Sequence, residues 1–517
     1  MTLEPVPQRL NIARYCLAEN ARIRPDVVAM TVVGDGGDAT DYTFAEVDLD
    51  VRRLSAGFLS LGFPTGSRVM IRMANDAQYA FTWFAVMGAG LIALPSSSQL
   101  TAAEAGFLLE DSGAVAVVLT HDLARDFVTP PEVLAIGPEL LAELIRTEPV
   151  DDVADTAADD PAYLIYTSGT SGRPKGVLHA HRAAWGRRPM HEHWMGLGES
   201  DRVVHAGAFN WTYTLGVGLV DPWSRGASCI LYIGERDVQV WPALIERYRA
   251  TIFAAVPTLY RQVLKYCDLD AYDLTSLRHG LTAGEPMPIA LLEAWRAAVG
   301  TELYEALGMS EISTYVSSSP SDPIRLGSPG RPQQGRRVAI LPRDGGDSPL
   351  PAGEIGLLGV HRSDPSLMLG YWNRPEEDDV VYRGDWFVGG DLASIDSDGY
   401  VWFEGRNDDL MNAMGYRVSP LEVESVLAQH PGVAEVAVTE LTVREGLSVI
   451  AAFVVPREAE IPDAGDLLAF AHERLAAYKC PREVVFVESL PRTANGKITR
   501  RQLPGVVRST IANGDVA

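Results

Sequence analysis

The segment Tyr166-Thr-Ser-Gly-Thr-Ser-Gly-Arg-Pro-Lys-Gly176 concentrates residues suited to holding phosphate. An apolar run, Ala162–Tyr166, precedes it and reads as a buried strand. The loop that follows contains Thr167, Ser168, Gly169, Thr170, Ser171 and Gly172. It can turn several backbone N–H groups and hydroxyls toward one point, and Lys175 adds a positive charge. A polyphosphate needs that combination. The Walker A pattern would place Ser or Thr directly after the lysine; here Gly176 and Val177 follow, so no hydroxyl is set there for magnesium. A plain polar turn is the simpler alternative, and the ordered run of hydroxyls, glycines and lysine argues against it.

Other residues carry compatible chemistry. Tyr304-Glu-Ala-Leu-Gly308-Met-Ser310-Glu311 ends in a carboxylate beside a hydroxyl. A carboxylate near phosphates can hold magnesium, which prefers oxygen ligands; a surface loop with an ordinary acid reads equally well in isolation. Thr282-Ala283-Gly284-Glu285-Pro286 offers a glycine where backbone can approach a flat ring, or a tight turn before the apolar helix that starts near Ile289. Tyr382-Arg-Gly-Asp-Trp-Phe-Val-Gly-Gly390-Asp391 ends in an acceptor-only carboxylate suited to two hydroxyl donors. Gly405-Arg406-Asn407-Asp408-Asp409 contains residues that tolerate unusual backbone angles. In Leu490-Pro-Arg-Thr493-Ala-Asn495-Gly496-Lys497-Ile498, Asn-Gly makes a tight turn with Lys497 at its tip. Alone, that residue would be a tail lysine on a hairpin.

These segments together, in this order from Tyr166 to Lys497, resemble the adenylate-forming superfamily: acyl-CoA synthetases, adenylation domains of peptide synthetases and firefly-type luciferases. The early Ala21–Asp26 and Thr43-Phe44, with Glu46 and Arg53, are similar to the family's N-terminal portion, so the resemblance spans almost the whole chain. It implies a two-step reaction, in which ATP and a carboxylate give acyl-AMP and pyrophosphate, and a thiol such as that of coenzyme A then displaces AMP.

The resemblance also implies roles for particular residues. Thr167–Gly172, Lys175 and Ser310 contact phosphate, and Glu311 is the magnesium-associated acid. Gly284, Glu285 and Pro286 wrap the adenine. Asp391 accepts the ribose hydroxyls, although Gly389 stands where the family has threonine. Arg406 reaches the ribose and, with Glu311 and Lys497, belongs to the catalytic set. Asp408 is the hinge, since a hinge absorbs a large φ/ψ change in few residues. Gly415, in Met414-Gly415-Tyr416-Arg417-Val418, borders the pantetheine tunnel, and Arg417 lies near phosphate in one of two domain orientations. Lys497 stabilises charge building between carboxylate and α-phosphate.

The segment Gly207-Ala-Phe209-Asn210-Trp211-Thr-Tyr213 occupies the position of the acyl-pocket motif, which the resemblance completes with Ala283 and Gly308. Amino-acid-activating relatives usually carry Asp after the Phe. Asn210 has no charge to pair with an ammonium. Phe209, Trp211 and Tyr213 suit an apolar acyl group, or ordinary core packing. The wording of these segments is most similar to benzoate-type and medium-chain acyl-CoA ligases, and implies an aromatic, alicyclic or short-to-medium-chain acid. A stand-alone adenylation enzyme that loads a carrier protein and a catalytically silent nucleotide-binding protein remain as alternatives.

The bulk properties fit. The chain has 517 residues, too many for one core, and is 47% hydrophobic. A net charge of −24 argues against a nucleic-acid surface. Anionic ATP and CoA must then be met by local cations such as Lys175, Arg406, Arg417 and Lys497. Cys16, Cys229, Cys267 and Cys480 form no Cys-x-x-Cys pair, which points to a reducing cytoplasm. The start lacks the basic and apolar regions of a secretory signal. His191-Glu-His193 has i,i+2 spacing, which does not put both rings on one helix face, so a metal site is not expected there. His179 and His181 are expected to pack or cap; His205 reads either as a core histidine or as a pocket neighbour.

Elements must position these residues. Apolar runs at Arg68–Met73, Val115–Thr120, Val203–Ala206 and Ala227–Ile233 alternate with helical patterns at Ala243–Tyr248 and Pro288–Ala298. That predicts an α/β fold with largely parallel sheets. Ala80–Pro95 predicts a buried helix entering a buried strand rather than a membrane span. The acidic Val150–Asp160 predicts a solvated linker. Gly327–Gly405 predicts a β-rich subdomain, and a small α+β domain follows. The domains are therefore expected at 1–407, binding AMP, and at 408–517, mobile.

Overall fold

The structure, a computed structural model, describes residues 4–125, 127–167, 174–235, 237–407, 411–413, 416–444, 447–457, 462–475, 479–492 and 498–505. At 412, 413, 416, 417, 442–444, 447 and 448 only the backbone is described. The chain divides into two compact units, Met1–Val338 with Val360–Phe387, and Ala339–Gly359 with Val388–Ala517.

The first unit is built on two sheets. One has the order Arg331–Pro332, Ser313–Ser317, Glu302–Met309, His279–Ala283, Ile252–Ala254, Arg202–His205, Ser228–Tyr232, Val28–Val33, Ala39–Thr43. From Glu302–Met309 to Val28–Val33 successive neighbours run parallel. Antiparallel strands close both edges. The other has the order Gly370–Tyr371, Lys175–Ala180, Pro161–Thr167, Ile92–Ser96, Arg68–Arg72, Ala116–Leu119, Leu134–Ile136. Its central strands are parallel, as continuous apolar runs covered on both faces should be.

Between Arg68–Arg72 and Ile92–Ser96 the chain forms the helix Ala77–Gly88, buried at every position but Gln78. Asp76 caps its first turn. Phe84 of this helix stacks on Trp223, with ring centroids 5.1 Å apart, in the largest core cluster. The helix Phe44–Ser60 opens with a capping box of Thr43 and Glu46. Among the described residues no helix is long and apolar enough to cross a membrane.

Two sequence expectations change in detail. Val150–Asp160 is not simply solvated. Its carboxylates face outward, but Val153, Thr156 and Ala158 are buried, and Leu10 N–H donates to Thr156 O at 3.0 Å. Asn11 Nδ2 donates to Ala154 O at 3.1 Å, and Arg14 pairs with Asp152 at 3.0 Å. The acidic run thus fastens the N-terminal segment. The helix expected around His191 and His193 forms instead as two short helices, Arg182–Gly186 and Arg188–His193.

In the second unit, Val401–Arg406 pairs antiparallel with Trp386–Ile395, placing Arg406 opposite Asp391. A further sheet pairs Val433–Arg444 with Leu447–Pro456 antiparallel, and Glu483–Phe486 parallel to the latter. The helices Pro420–Leu427 and Ala464–His472 contribute Val423, Leu427 and Leu467 to its core. Short strands at Arg331–Pro332, Val338–Leu341, Gly356–His361 and beyond give the region after Gly327 its β-rich character.

Candidate active site

Lys175 begins the strand Lys175–Ala180, paired antiparallel with Pro161–Thr167 so that Thr167 lies opposite it. Its ammonium pairs with Glu377, on the helix Pro375–Val381, and lies over the Tyr371 ring, 5.4 Å from the centroid. The Tyr371 phenol donates to Glu311 Oε1 at 2.8 Å. Burial, and then the Glu311 carboxylate, raise the Tyr371 pKa, so the phenol stays protonated and a donor. Met368 N–H donates to the Glu311 carbonyl at 2.8 Å. His179 lies four residues after Lys175 on the same strand face, and its Nε2 meets the Ser310 carbonyl at 2.7 Å. A carbonyl only accepts, so Nε2 carries the proton. Burial lowers the His179 pKa to about 4, and the ring stacks on Tyr163 at 4.7 Å. Lys175 and the Ser310–Glu311 pair, read from two motifs, are thus joined through Tyr371 and His179.

A second group forms at the ends of the parallel strands. Phe209 is buried against Tyr79, with centroids 5.6 Å apart. Asn75 holds this loop at both ends: its Oδ1 accepts from Phe209 N–H at 2.9 Å and its Nδ2 donates to Gly207 O at 2.8 Å. Asn210 and Trp211 are half-buried. The Trp211 ring packs edge-on to Tyr213 at 5.3 Å and covers Gly284. Gly284 has φ +93°, which favours glycine, and a Cβ there would press on the far end of that ring at 3.0 Å. Tyr213 is buried, and its hydroxyl donates to Leu281 O at 3.1 Å. His205 packs edge-on to Tyr213 at 4.5 Å, its Nδ1 accepts from Gly207 N–H at 3.0 Å, and burial lowers its pKa to about 3. It is a neutral core histidine in contact with the Phe209–Tyr213 segment.

Ala283 ends the strand His279–Ala283, beside Ala306 of Glu302–Met309. Gly308 follows two residues later at a register shift. A Cβ there would sit 2.3 Å from Ser313 O and 2.6 Å from Thr314 Cα, so close strand approach explains this glycine. Thr258 Oγ1 donates to Glu285 Oε2 at 3.4 Å, and Pro286 is exposed. Met287 N–H, next in the chain, donates to Glu305 Oε1 at 3.0 Å. Burial raises the Glu305 pKa to about 7.

In the second unit Arg406 Nη1 donates to Asp391 Oδ1 at 3.1 Å across the strand pair. Arg417 lies on the strand Tyr416–Val418, opposite Asn412. Ser168, Gly169, Thr170, Ser171, Gly172, Asp408, Gly415 and Lys497 lie outside the described residues. His191 Nε2 meets Asp221 Oδ1 at 3.1 Å. Sequence reasoning missed Tyr371, Glu377 and Glu305 and gave His179 only a packing role. The i,i+4 strand spacing from Lys175 was a usable signal for His179; Tyr371 and Glu377 gave none.

The chain matches the family described as AMP-binding enzyme over residues 17–372, and its C-terminal domain over residues 422–497. It is 31% identical to a benzoate–CoA ligase of Thauera aromatica, covering 96% of each chain. It is 32% identical to the mitochondrial acyl-coenzyme A synthetase ACSM5 of Mus musculus, covering 97% of this chain and 91% of that one. The solved structure of the anthranilate CoA ligase AuaEII in complex with anthranoyl-AMP superposes with a TM-score of 0.88 at 30% identity, covering 98% of this chain and 99% of that chain. The chain belongs to the AMP-binding enzyme family, with both its principal and its C-terminal domain.

Proposed function

We propose that this protein is an ATP-dependent carboxylate–CoA ligase acting on an aromatic acid, with alicyclic and short-to-medium-chain acids as the neighbouring classes. The observation that carries the acid class is the Phe209–Tyr213 segment: Phe209 and Tyr213 are buried, Trp211 lies against Gly284, and the segment offers the neutral Asn210 rather than a carboxylate to pair with an amino acid's ammonium. The benzoate and anthranilate ligases among its relatives support the same class.

In the first step a carboxylate oxygen attacks the α-phosphorus of ATP. The bond to the β-phosphate's bridging oxygen breaks, and pyrophosphate leaves. In the second, the CoA sulfur attacks the acyl carbon, the carbon–oxygen bond to AMP breaks, and the thiol proton is lost. Lys175, Thr167 and the loop through Ser168, Gly169, Thr170, Ser171 and Gly172 hold the triphosphate. Gly284, Glu285 and Pro286 hold the adenine, and Asp391 and Arg406 the ribose. Lys497 meets the charge that develops at the α-phosphate. Ser310 contacts phosphate, and the Glu311 carboxylate is a hard oxygen donor, which fits magnesium; bound there, the ion would neutralise phosphate charge. The domains are assigned as 1–407 and 408–517, with Asp408 as the hinge. Gly415 borders the pantetheine path, and Arg417 lies near phosphate in one of two domain orientations. A cytoplasmic site of action is in keeping with the free thiols of Cys16, Cys229, Cys267 and Cys480.

Pyrophosphate release should be measured with ATP, magnesium and a panel of benzoates, cyclohexane carboxylates, linear acids and amino acids, with and without CoA. Aromatic acids should give the highest rate, and acyl-CoA should form only with CoA. Preference for an amino acid, or no pyrophosphate with any acid, would reject the reading.

A further inference from the structure

The turn Ser310–Ser313 carries Glu311 and is gripped from several directions. His179 holds the Ser310 carbonyl; Tyr371 and Met368 hold Glu311. At the far end Ser313 adopts φ +74°, a left-handed conformation that glycine takes freely and other residues take at a cost. The Ser313 hydroxyl accepts a hydrogen bond from Arg187 Nη1. The same guanidinium donates through Nε and Nη2 to both oxygens of Asp221, at 2.9 and 2.6 Å. The Arg187 and Asp221 side chains are 7% and 0% exposed. Space for the guanidinium comes from Gly216, where a Cβ would lie 2.0 Å from Nη2.

We propose that Arg187, fixed by Asp221, is a positioning residue for adenylation: it locks Ser313 in its left-handed conformation and so sets where Ser310 and Glu311 present their oxygens to magnesium-ATP. The inference rests on the phosphate and magnesium roles given to Ser310 and Glu311 above. Asp221 takes the forked face of the guanidinium through Nε and Nη2, and a buried ion pair is stabilising only when its remaining N–H groups are hydrogen-bonded too, so Nη1 must find an acceptor elsewhere. The acceptor that Nη1 finds is a hydroxyl of the turn that carries the acid. Serine at 313 is strained where glycine would not be, and what it offers in exchange is the acceptor that Arg187 uses.

Ser313→Gly separates positioning from stability, because it removes the hydroxyl and the strain together and leaves Arg187–Asp221 intact. Relief of the left-handed strain and loss of the hydroxyl's hydrogen bond to the guanidinium oppose each other, so the variant should stay folded and unfold cooperatively near the wild-type temperature. Its acyl-AMP formation should fall by about 10- to 100-fold, as for a displaced reacting group, and should need more magnesium for half-maximal rate. Conversion of pre-made acyl-AMP and CoA to thioester should stay at the wild-type rate. Wild-type adenylation with unchanged magnesium dependence overturns the inference, and so does equal loss of both half-reactions. Glu311→Gln is the control. If it loses magnesium-dependent adenylation while Ser313→Gly does not, the inference alone fails. If Glu311→Gln adenylates normally, the role of Glu311 fails and the inference falls with it.

Discussion

A carboxylate near phosphates is useful only if it points one way, and Glu311 is held by groups far from it in the chain. The Tyr371 hydroxyl is the side-chain donor, at 2.8 Å. Hydrogen bonds to charged groups are worth about 1.5–3 kcal/mol. Tyr371→Phe removes the donor and leaves the ring beneath Lys175, so magnesium-dependent pyrophosphate release should fall about tenfold, with the rate–ATP curve shifted to higher concentration. An unchanged rate would show that Met368 N–H and the turn suffice. Lys497→Ala tests the other end of the chemistry. Its ammonium is assigned to the adenylation transition state alone, so acyl-AMP formation should drop about 10²–10³-fold. Pre-made acyl-AMP should still react with CoA, and equal loss in both steps would contradict the role. The motifs that carry Lys175, Ser310, Glu311 and Asp391 were legible because their spacing is local. Tyr371 and Glu305 were not. Tyr371 reaches Glu311 across 60 positions of sequence. Glu305 looks like an ordinary strand residue until burial raises its pKa to about 7.

At the scale of elements, apolar runs and glycine did most of the informing. Arg68–Arg72, Ala116–Leu119, Arg202–His205 and Ser228–Tyr232 appear where continuous apolar sequence placed strands. Val240–Tyr248 and Ile289–Val299 appear where helical periodicity placed helices. The order of strands in each sheet was not readable, because parallel pairing joins segments far apart in sequence. Charge also misled locally: Val150–Asp160 looked solvated because its acids outnumber Val153 and Ala158, yet those two apolar residues decide its packing. Gly308 shows how an element can explain a motif residue. Its Cβ would press on the backbone of Ser313 and Thr314 rather than on a movable side chain. Gly308→Ala should therefore destabilise the first unit by roughly 1–3 kcal/mol, read as a lower urea midpoint. A neutral substitution would mean that the two strands separate at little cost, and that the glycine serves the acyl pocket instead.

The whole molecule stores an acid sensitivity in its buried imidazoles. His179, His181 and His279 have pKa values lowered to about 4, and His205 to about 3, in each case chiefly by burial. Their hydrogen bonds fit the neutral ring. His181 Nδ1 accepts from Ile12 N–H at 3.2 Å and His205 Nδ1 from Gly207 N–H at 3.0 Å, so neither nitrogen can take a proton without losing its partner. Unfolded histidine titrates near 6.5. Between about pH 6.5 and 4 the unfolded chain binds protons that the folded chain refuses, so stability rises with pH across this window and is lost on acidification. Each such group contributes up to about 3 kcal/mol. Glu305 acts in the opposite sense. Its pKa is raised to about 7, so the folded state holds a proton that the unfolded state releases, and stability falls as pH rises from about 4.5 to 7. Asp50, Asp378 and Glu404 are raised as well, chiefly by burial, and add to that opposition. Four imidazoles face four raised carboxylates, but of the carboxylates only Glu305 is shifted as far as the imidazoles, so the net slope should follow the imidazoles. All four lie in the first unit, where Trp83, Trp194, Trp223 and Trp295 are buried reporters. Urea unfolding followed by tryptophan fluorescence should show the midpoint dropping steadily from pH 7 to pH 4.5. A midpoint that is flat or rises over that range would mean that the carboxylates, not the histidines, set the acid response.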